Sequence, residues 1–229
     1  DERDWTLPLQ TDDLAGLPDF VLQAAKAAGQ EKGLDGPVVT LSRSLIVPFL
    51  EFSDRRDLRE TAYKAWAARG ANGGETDNRE IVRETLQLRQ EQAALLGYKS
   101  FAEFKLETQM AKTPARVRDL LMQVWHPAKA RAEADGAILT QMMAEDGLNG
   151  PLMAWDWRYY AQKRRRADHD LDEAELKPYL QLDQMIAAAF DCAQRLFGLT
   201  FQELSLPLHH KDARVWEVCR DGAHVALFI

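Results

Sequence analysis

Apolar positions along this chain recur with the period of an α-helix through most of its length, and with a period of two only towards its end. Leu58, Ala62 and Trp66 share one face at i, i+4 and i+8, and Ile81, Thr85, Leu88, Gln92 and Leu95 repeat the pattern over a helix expected from Asn78 to Leu96. Leu182, Met185, Ile186, Ala189, Phe190, Ala193, Leu196 and Phe197 form the cleanest amphipathic stripe. Start and stop chemistry frames these segments. A first helix runs from Pro18 to Lys32 and stops at Gly33, while Gly70, Gly97 and Gly198 close later ones. Ser100-x-x-Glu103 is a capping box, and Thr113-Pro114 opens a long helix to about Glu145 with a kink near His126-Pro127. Asp156 caps "WRYYAQKRRR", and Asp172-x-x-Glu175 caps a short helix ending near Lys177-Pro178.

Strand signals are few. "PVVTLS" (37–42) reads as strand or extended chain, and "IVPFLEF" (46–52) stays ambiguous, with Pro48 suited to the first turn of a short helix. "LTFQEL", "ARVWEV" and "AHVALFI" alternate as strands, the last two joined by Asp221-Gly222, a dipeptide suited to a tight type I′ hairpin. The expected fold is mainly α: an array of helices over 1–198, then a small antiparallel β-sheet over 199–229. The last strand is apolar to Ile229, and the start, "DERDWTLPLQ", is acidic, lacks Met and is no signal peptide. Both ends are therefore expected to be cut, and the unprotected terminal strand offers an edge with which a second copy could pair.

Composition narrows the function classes. The chain has 229 residues, is 46% apolar, and carries 29 basic against 36 acidic residues for a formal charge of -7. That balance argues against nucleic acid as a partner. No apolar run is long enough to suggest a membrane span, and a cytoplasmic setting is expected. The basic run Lys163-Arg164-Arg165-Arg166 is expected on the solvated face of a helix, and Cys192 and Cys219 as reduced structural thiols. Met142-Met143 and the aromatic residues fall at core spacing rather than as a cofactor box.

Candidate chemistry is sparse. A zinc-peptidase helix carries His at i and i+4 with Glu beside the first, and none of His126, His169, His209, His210 and His224 is followed by Glu. His209, His210 and Asp212 are close in sequence, but neighbours in an extended segment point in opposite directions. "ANGGETDN" is Gly-rich without the Lys-Ser/Thr of a phosphate loop, and no G-x-S-x-G elbow occurs. Cys-His catalysis would need Cys192 or Cys219 beside a distant His. Glu103, Glu107, Asp170, Asp172 and Glu175 are spaced for capping and surface ion pairs, not as an acid/base pair. The residues by themselves identify no catalytic site, no substrate-binding site and no metal site.

Long runs nonetheless carry a resemblance. Thr40 to Val82, Leu95 to Pro114, "WDWRYYAQK" (155–163) and Leu171 to Phe201 resemble, in order and spacing, the segment upstream of the active site in the thimet-oligopeptidase-like zinc metallopeptidases. The Trp-Asp-Trp-Arg-Tyr-Tyr and Lys-Pro-Tyr-Leu-Gln-Leu forms are most similar to the bacterial peptidyl-dipeptidase (dipeptidyl carboxypeptidase) branch. The resemblance implies a helical, two-lobed hydrolase with one zinc on an H-E-x-x-H helix and short peptides as substrates. It makes this chain an internal channel-wall piece that stops before the zinc-binding core, inactive alone. Two rival readings stand beside it: a non-enzymatic helical binding module, and an endo-acting oligopeptidase of the same family.

Overall fold

Val38, Val39 and Thr40 are all buried, and this short β-branched run can hide its backbone only by pairing. In the computed structural model, which describes residues 4–169 and 177–229, β2 (Val38–Thr40) pairs antiparallel with β1 (Thr6–Pro8), Leu7 lying opposite Val39. The chain forms two compact units, Asp1–Asp170 and Leu171–Ile229. The capping signal at Asp172-x-x-Glu175, with Asp170, lies outside the described residues.

In the first unit, α1 (Asp19–Glu31) starts after Pro18, whose fixed φ suits the helix entry, and ends before Gly33 at φ 66°. Gly29 faces the returning loop so closely that a Cβ there would stand 2.1 Å from the Gly36 carbonyl oxygen. The ambiguous "IVPFLEF" run is helical: α2 spans Arg43–Phe52 and buries Leu45, Ile46, Phe49 and Leu50. Pro48 stands in its interior rather than in the first turn. Burial of that apolar face outweighs the backbone hydrogen bond the ring removes.

The helix α3 (Arg56–Ala67) buries Ala62 and packs Leu58 and Trp66 partly against the same core. That core gathers Val21, Ala25, Val39, Leu41, Ile46, Phe49 and Leu50. Then follow α4 (Arg79–Leu95), α5 (Phe101–Leu106), α6 (Pro114–Glu145) and α7 (Ala154–His169). Ser100 Oγ accepts the Glu103 N–H at 3.2 Å, while the Glu103 carboxylate accepts from Lys99 N–H, one residue beyond the expected partner. Pro127 sits inside the 32-residue α6. Leu139 and Met143 of α6 meet Tyr159 and Tyr160 of α7 in a second core, and α7 also packs on α2 and α3. The apolar stripe of α4 is largely uncovered; only Ala93 is buried on that helix.

The second unit is α8 (Leu182–Phe197), capped by left-handed Gly198, and a sheet in the order β3 (Leu199–Leu204), β4 (Val215–Arg220), β5 (Ala223–Phe228). Asp221 and Gly222 both have positive φ, 51° and 78°, as the type I′ turn requires. Phe190 of α8 stacks on Phe201 at 4.0 Å and meets Trp216 edge-on, fixing the helix on the sheet. The observed architecture is mainly α with a small C-terminal antiparallel sheet.

Candidate functional site

The highest concentration of buried charge lies where α3 meets α7. Arg59 falls on the apolar stripe of α3, three residues before Ala62, and its side chain is 1% exposed. A guanidinium there must find acceptors on every side. It donates to the Ser53 carbonyl at 2.7 Å, the Trp155 carbonyl at 3.3 Å and Asp156 Oδ1 at 3.2 Å, and lies 4.0 Å over the Tyr159 ring. Asp156, fully buried, also receives a two-pronged pair of bonds from Arg56, at 2.9 and 2.8 Å, and the Met153 N–H at 3.1 Å. Tyr159 donates its hydroxyl to Asp54 at 2.8 Å. Burial pushes the Asp156 carboxyl up, but the hydrogen bonds from Arg56, Met153 and Arg59 outweigh it and hold the group below its ordinary value.

By its place in the sequence Asp156 is expected as a helix cap. It does accept a backbone N–H at the helix entry, yet its larger role is to join α3 to α7. The signal was present: a charged residue on an apolar stripe (Arg59), with Arg56 one turn before it and a carboxylate between two tryptophans. Both Asp156 oxygens are taken up by Arg56, Arg59 and the Met153 N–H, an arrangement that ties the two helices together as a structural joint.

Between α6 and α7 an open cavity of about 290 Å³ lies over Leu139 and Trp157, rimmed by Arg131, Asp135, Arg164 and His169. Asp135 accepts from Arg164 at 2.8 Å and from Arg131 at 3.1 Å, and these two guanidinium groups hold its carboxyl low. The basic run 163–166 is thus more than a solvated face. Arg164 also reaches Asp168, and Lys163 pairs with Asp146 at 2.6 Å while lying 4.9 Å over the Tyr159 ring.

In the second unit a groove of about 540 Å³ runs over Ile186, Phe190 and Trp216, with Asp183 and Arg214 at its rim. Arg214 covers the Trp216 ring at 4.8 Å and binds Glu203 through two bonds, at 2.8 and 3.0 Å, and Asp183 at 2.9 Å. The outer edge of β5 has no partner strand among the described residues, and all six of its residues are exposed.

The histidines stay apart. His126 is exposed on α6, His169 lies on the cavity rim, and His209 and His210 are exposed in the connector before β4. Asp212 turns its backbone N–H to His210 Nδ1 at 3.2 Å, and His224 Nδ1 sits 2.8 Å from Glu217 across the hairpin. Among the described residues no three His, Cys, Asp or Glu side chains come together, so they do not fit a zinc centre. Glu103 is a cap and Glu107 accepts the Tyr98 hydroxyl. Both cysteines are free, Cys192 exposed on α8 and Cys219 half-buried on β4. No described helix is long and apolar enough to cross a membrane.

Known proteins give these parts a context. A dipeptidyl carboxypeptidase from Salmonella typhimurium is 37% identical over 221 residues, covering 94% of this chain. Oligopeptidase A from Escherichia coli is 34% identical over 93% of the chain, and a probable cytosolic oligopeptidase A from Arabidopsis thaliana is 33% identical over 82%. The chain spans about a third of the length of these relatives: 32%, 32% and 28%. The model of peptidase family M3 matches residues 49–228, which takes in α3 with its arginine pair, the Asp156 joint, both cavities and the sheet. The chain belongs to peptidase family M3.

Proposed function

We propose that this chain is the helical wall and small sheet of a zinc peptidase that acts on short peptides and releases dipeptides from their C-termini. The observation that carries the reading is the family match over 49–228 together with 37% identity to a dipeptidyl carboxypeptidase. Residues 1–198 supply the wall and 199–229 the sheet, and the groups that hold zinc belong to polypeptide outside these 229 residues. A cytoplasmic setting without a membrane partner belongs to this reading, and the -7 charge supports it in disfavouring nucleic acid as a partner. Zinc, when bound, polarises the scissile carbonyl and activates water; the residues described here hold the surrounding helices in place. The free β5 edge is where the isolated chain pairs with a second copy.

An endo-acting oligopeptidase is the second reading, favoured by the 34% identity to oligopeptidase A. One experiment tests both: incubate a defined peptide with the 229-residue chain and with the complete reading frame that contains it, each with zinc and with a chelator, and identify the products by mass. The expected result is no cleavage by the chain and chelator-sensitive loss of C-terminal dipeptides with the complete frame. Internal cuts would select the second reading. Metal-dependent cleavage by the chain alone would overturn the scaffold assignment.

A further inference from the structure

The sequence contains two Asn-Gly pairs, Asn72-Gly73 in the Gly-rich loop before α4 and Asn149-Gly150 in the loop between α6 and α7. Both asparagines are exposed, yet their surroundings differ in the one group that decides their chemistry. Spontaneous deamidation begins when the backbone nitrogen after Asn attacks the side-chain Cγ. The new C–N bond closes a succinimide, the side-chain nitrogen leaves as ammonia carrying the proton from the backbone nitrogen, and water then opens the ring to Asp or isoAsp. Glycine permits this because it has no side chain to obstruct the approach.

At the first pair the attacking nitrogen is engaged. Gly73 donates its N–H to Asp77 Oδ2 at 3.0 Å. Asp77 is itself fixed by Arg79, through the backbone N–H at 2.9 Å and Nε at 3.0 Å to its carboxylate. The base of the loop is closed by Asn78 N–H donating to the Gly70 carbonyl at 2.8 Å. Ring closure must break the Gly73 bond and turn a loop pinned on both sides. Arg79 also holds the Asp77 carboxyl far below its usual range, which makes it a poor base for drawing the proton away. At the second pair nothing comparable exists. Among the described residues neither the Gly150 N–H nor the Asn149 side chain makes a hydrogen bond, and residues 149–153 form neither helix nor strand.

We infer that Asn149 is a site of spontaneous deamidation in this protein and that Asn72, also exposed and also followed by glycine, is protected by the Asp77 bond to Gly73. The new carboxylate at 149 appears three residues from Asp146, the acceptor of Lys163, and so adds charge to the link between α6 and α7.

The test incubates the folded chain at mildly alkaline pH beside two synthetic peptides covering 66–82 and 143–157, and follows both asparagines by peptide mapping. The mass gain of deamidation distinguishes it from isomerisation at Asp-Gly. Asn149 is expected to convert at the rate of its peptide. Asn72 is expected to be slower than its peptide by on the order of threefold or more, as a retained hydrogen bond implies. Asp77→Ala should raise Asn72 to the peptide rate and leave Asn149 unchanged, with circular dichroism confirming the fold. Conversion of Asn72 as fast as its own peptide, or of Asn149 more slowly than Asn72, would overturn the inference. An Asp77→Ala protein with Asn72 still slow would remove the hydrogen bond as the cause.

Discussion

At the scale of single residues, Asp156 holds the most consequential position in the first unit. Its carboxylate answers two arginines from α3 and one backbone N–H, so removing it leaves the buried Arg59 with an uncompensated charge. Asp156→Ala is expected to cost about 3–5 kcal/mol, towards the lower figure because Arg56 is partly exposed and keeps some hydration; urea unfolding measures it. The pH dependence follows from the direction of the shift. The folded carboxyl lies below its ordinary value, so its contribution is complete above the unfolded value of about 3.9 and is lost as pH falls through the folded one. The stability gap between the protein and Asp156→Ala should be constant near neutrality and narrow only below about pH 4. A gap that narrowed between pH 5 and 7 would assign the effect to another group. Sequence spacing gave Asp156 a place at a helix entry because capping is a local interaction. The partners that define it lie a hundred residues away in sequence, and no local pattern carries that distance.

Among the elements, the hairpin and α4 make opposite cases. Alternation plus Asp-Gly is enough to place β4, β5 and their turn, since the turn geometry is dictated by the residues within it. Gly222→Ala puts a Cβ into left-handed backbone at φ 78° and should cost about 1–2 kcal/mol, read as a lower unfolding midpoint. The helical period of α4 was equally legible, but what its stripe packs against was not. Ile81, Leu88 and Leu95 are 60%, 55% and 88% exposed, whereas α2 buries Leu45, Ile46, Phe49 and Leu50. Periodicity reports that a face is apolar, not that anything covers it. Hydrogen exchange should therefore find α4 amides exchanging well ahead of those in α2, because local opening of α4 uncovers little apolar surface. Equal protection of the two helices would mean that the α4 stripe is covered in solution.

For the molecule as a whole, the uncovered apolar surface sets the expected behaviour. Leu120, Leu121 and Trp125 on α6, and Val225, Leu227 and Phe228 on β5, add to the stripe on α4, and soluble monomers seldom leave contiguous apolar patches beyond a few hundred Å². The chain spans about a third of its relatives' length, and under the proposed reading further polypeptide would cover these faces. Alone, it retains a -7 charge that opposes association and a strand edge that invites it. The edge is the directional feature, since it offers unmet backbone donors and acceptors as well as apolar side chains. Sedimentation should accordingly show concentration-dependent dimers that strengthen as salt screens the charge. Leu227→Lys should weaken them without unfolding the sheet, because position 227 lies opposite Glu217 in the register and the new ammonium gains a cross-strand partner. If Leu227→Lys associates like the parent while Leu88→Glu on α4 does not, the helical stripe is the adhesive surface instead. A monomer at every concentration and salt would show that neither surface is adhesive enough to overcome the charge.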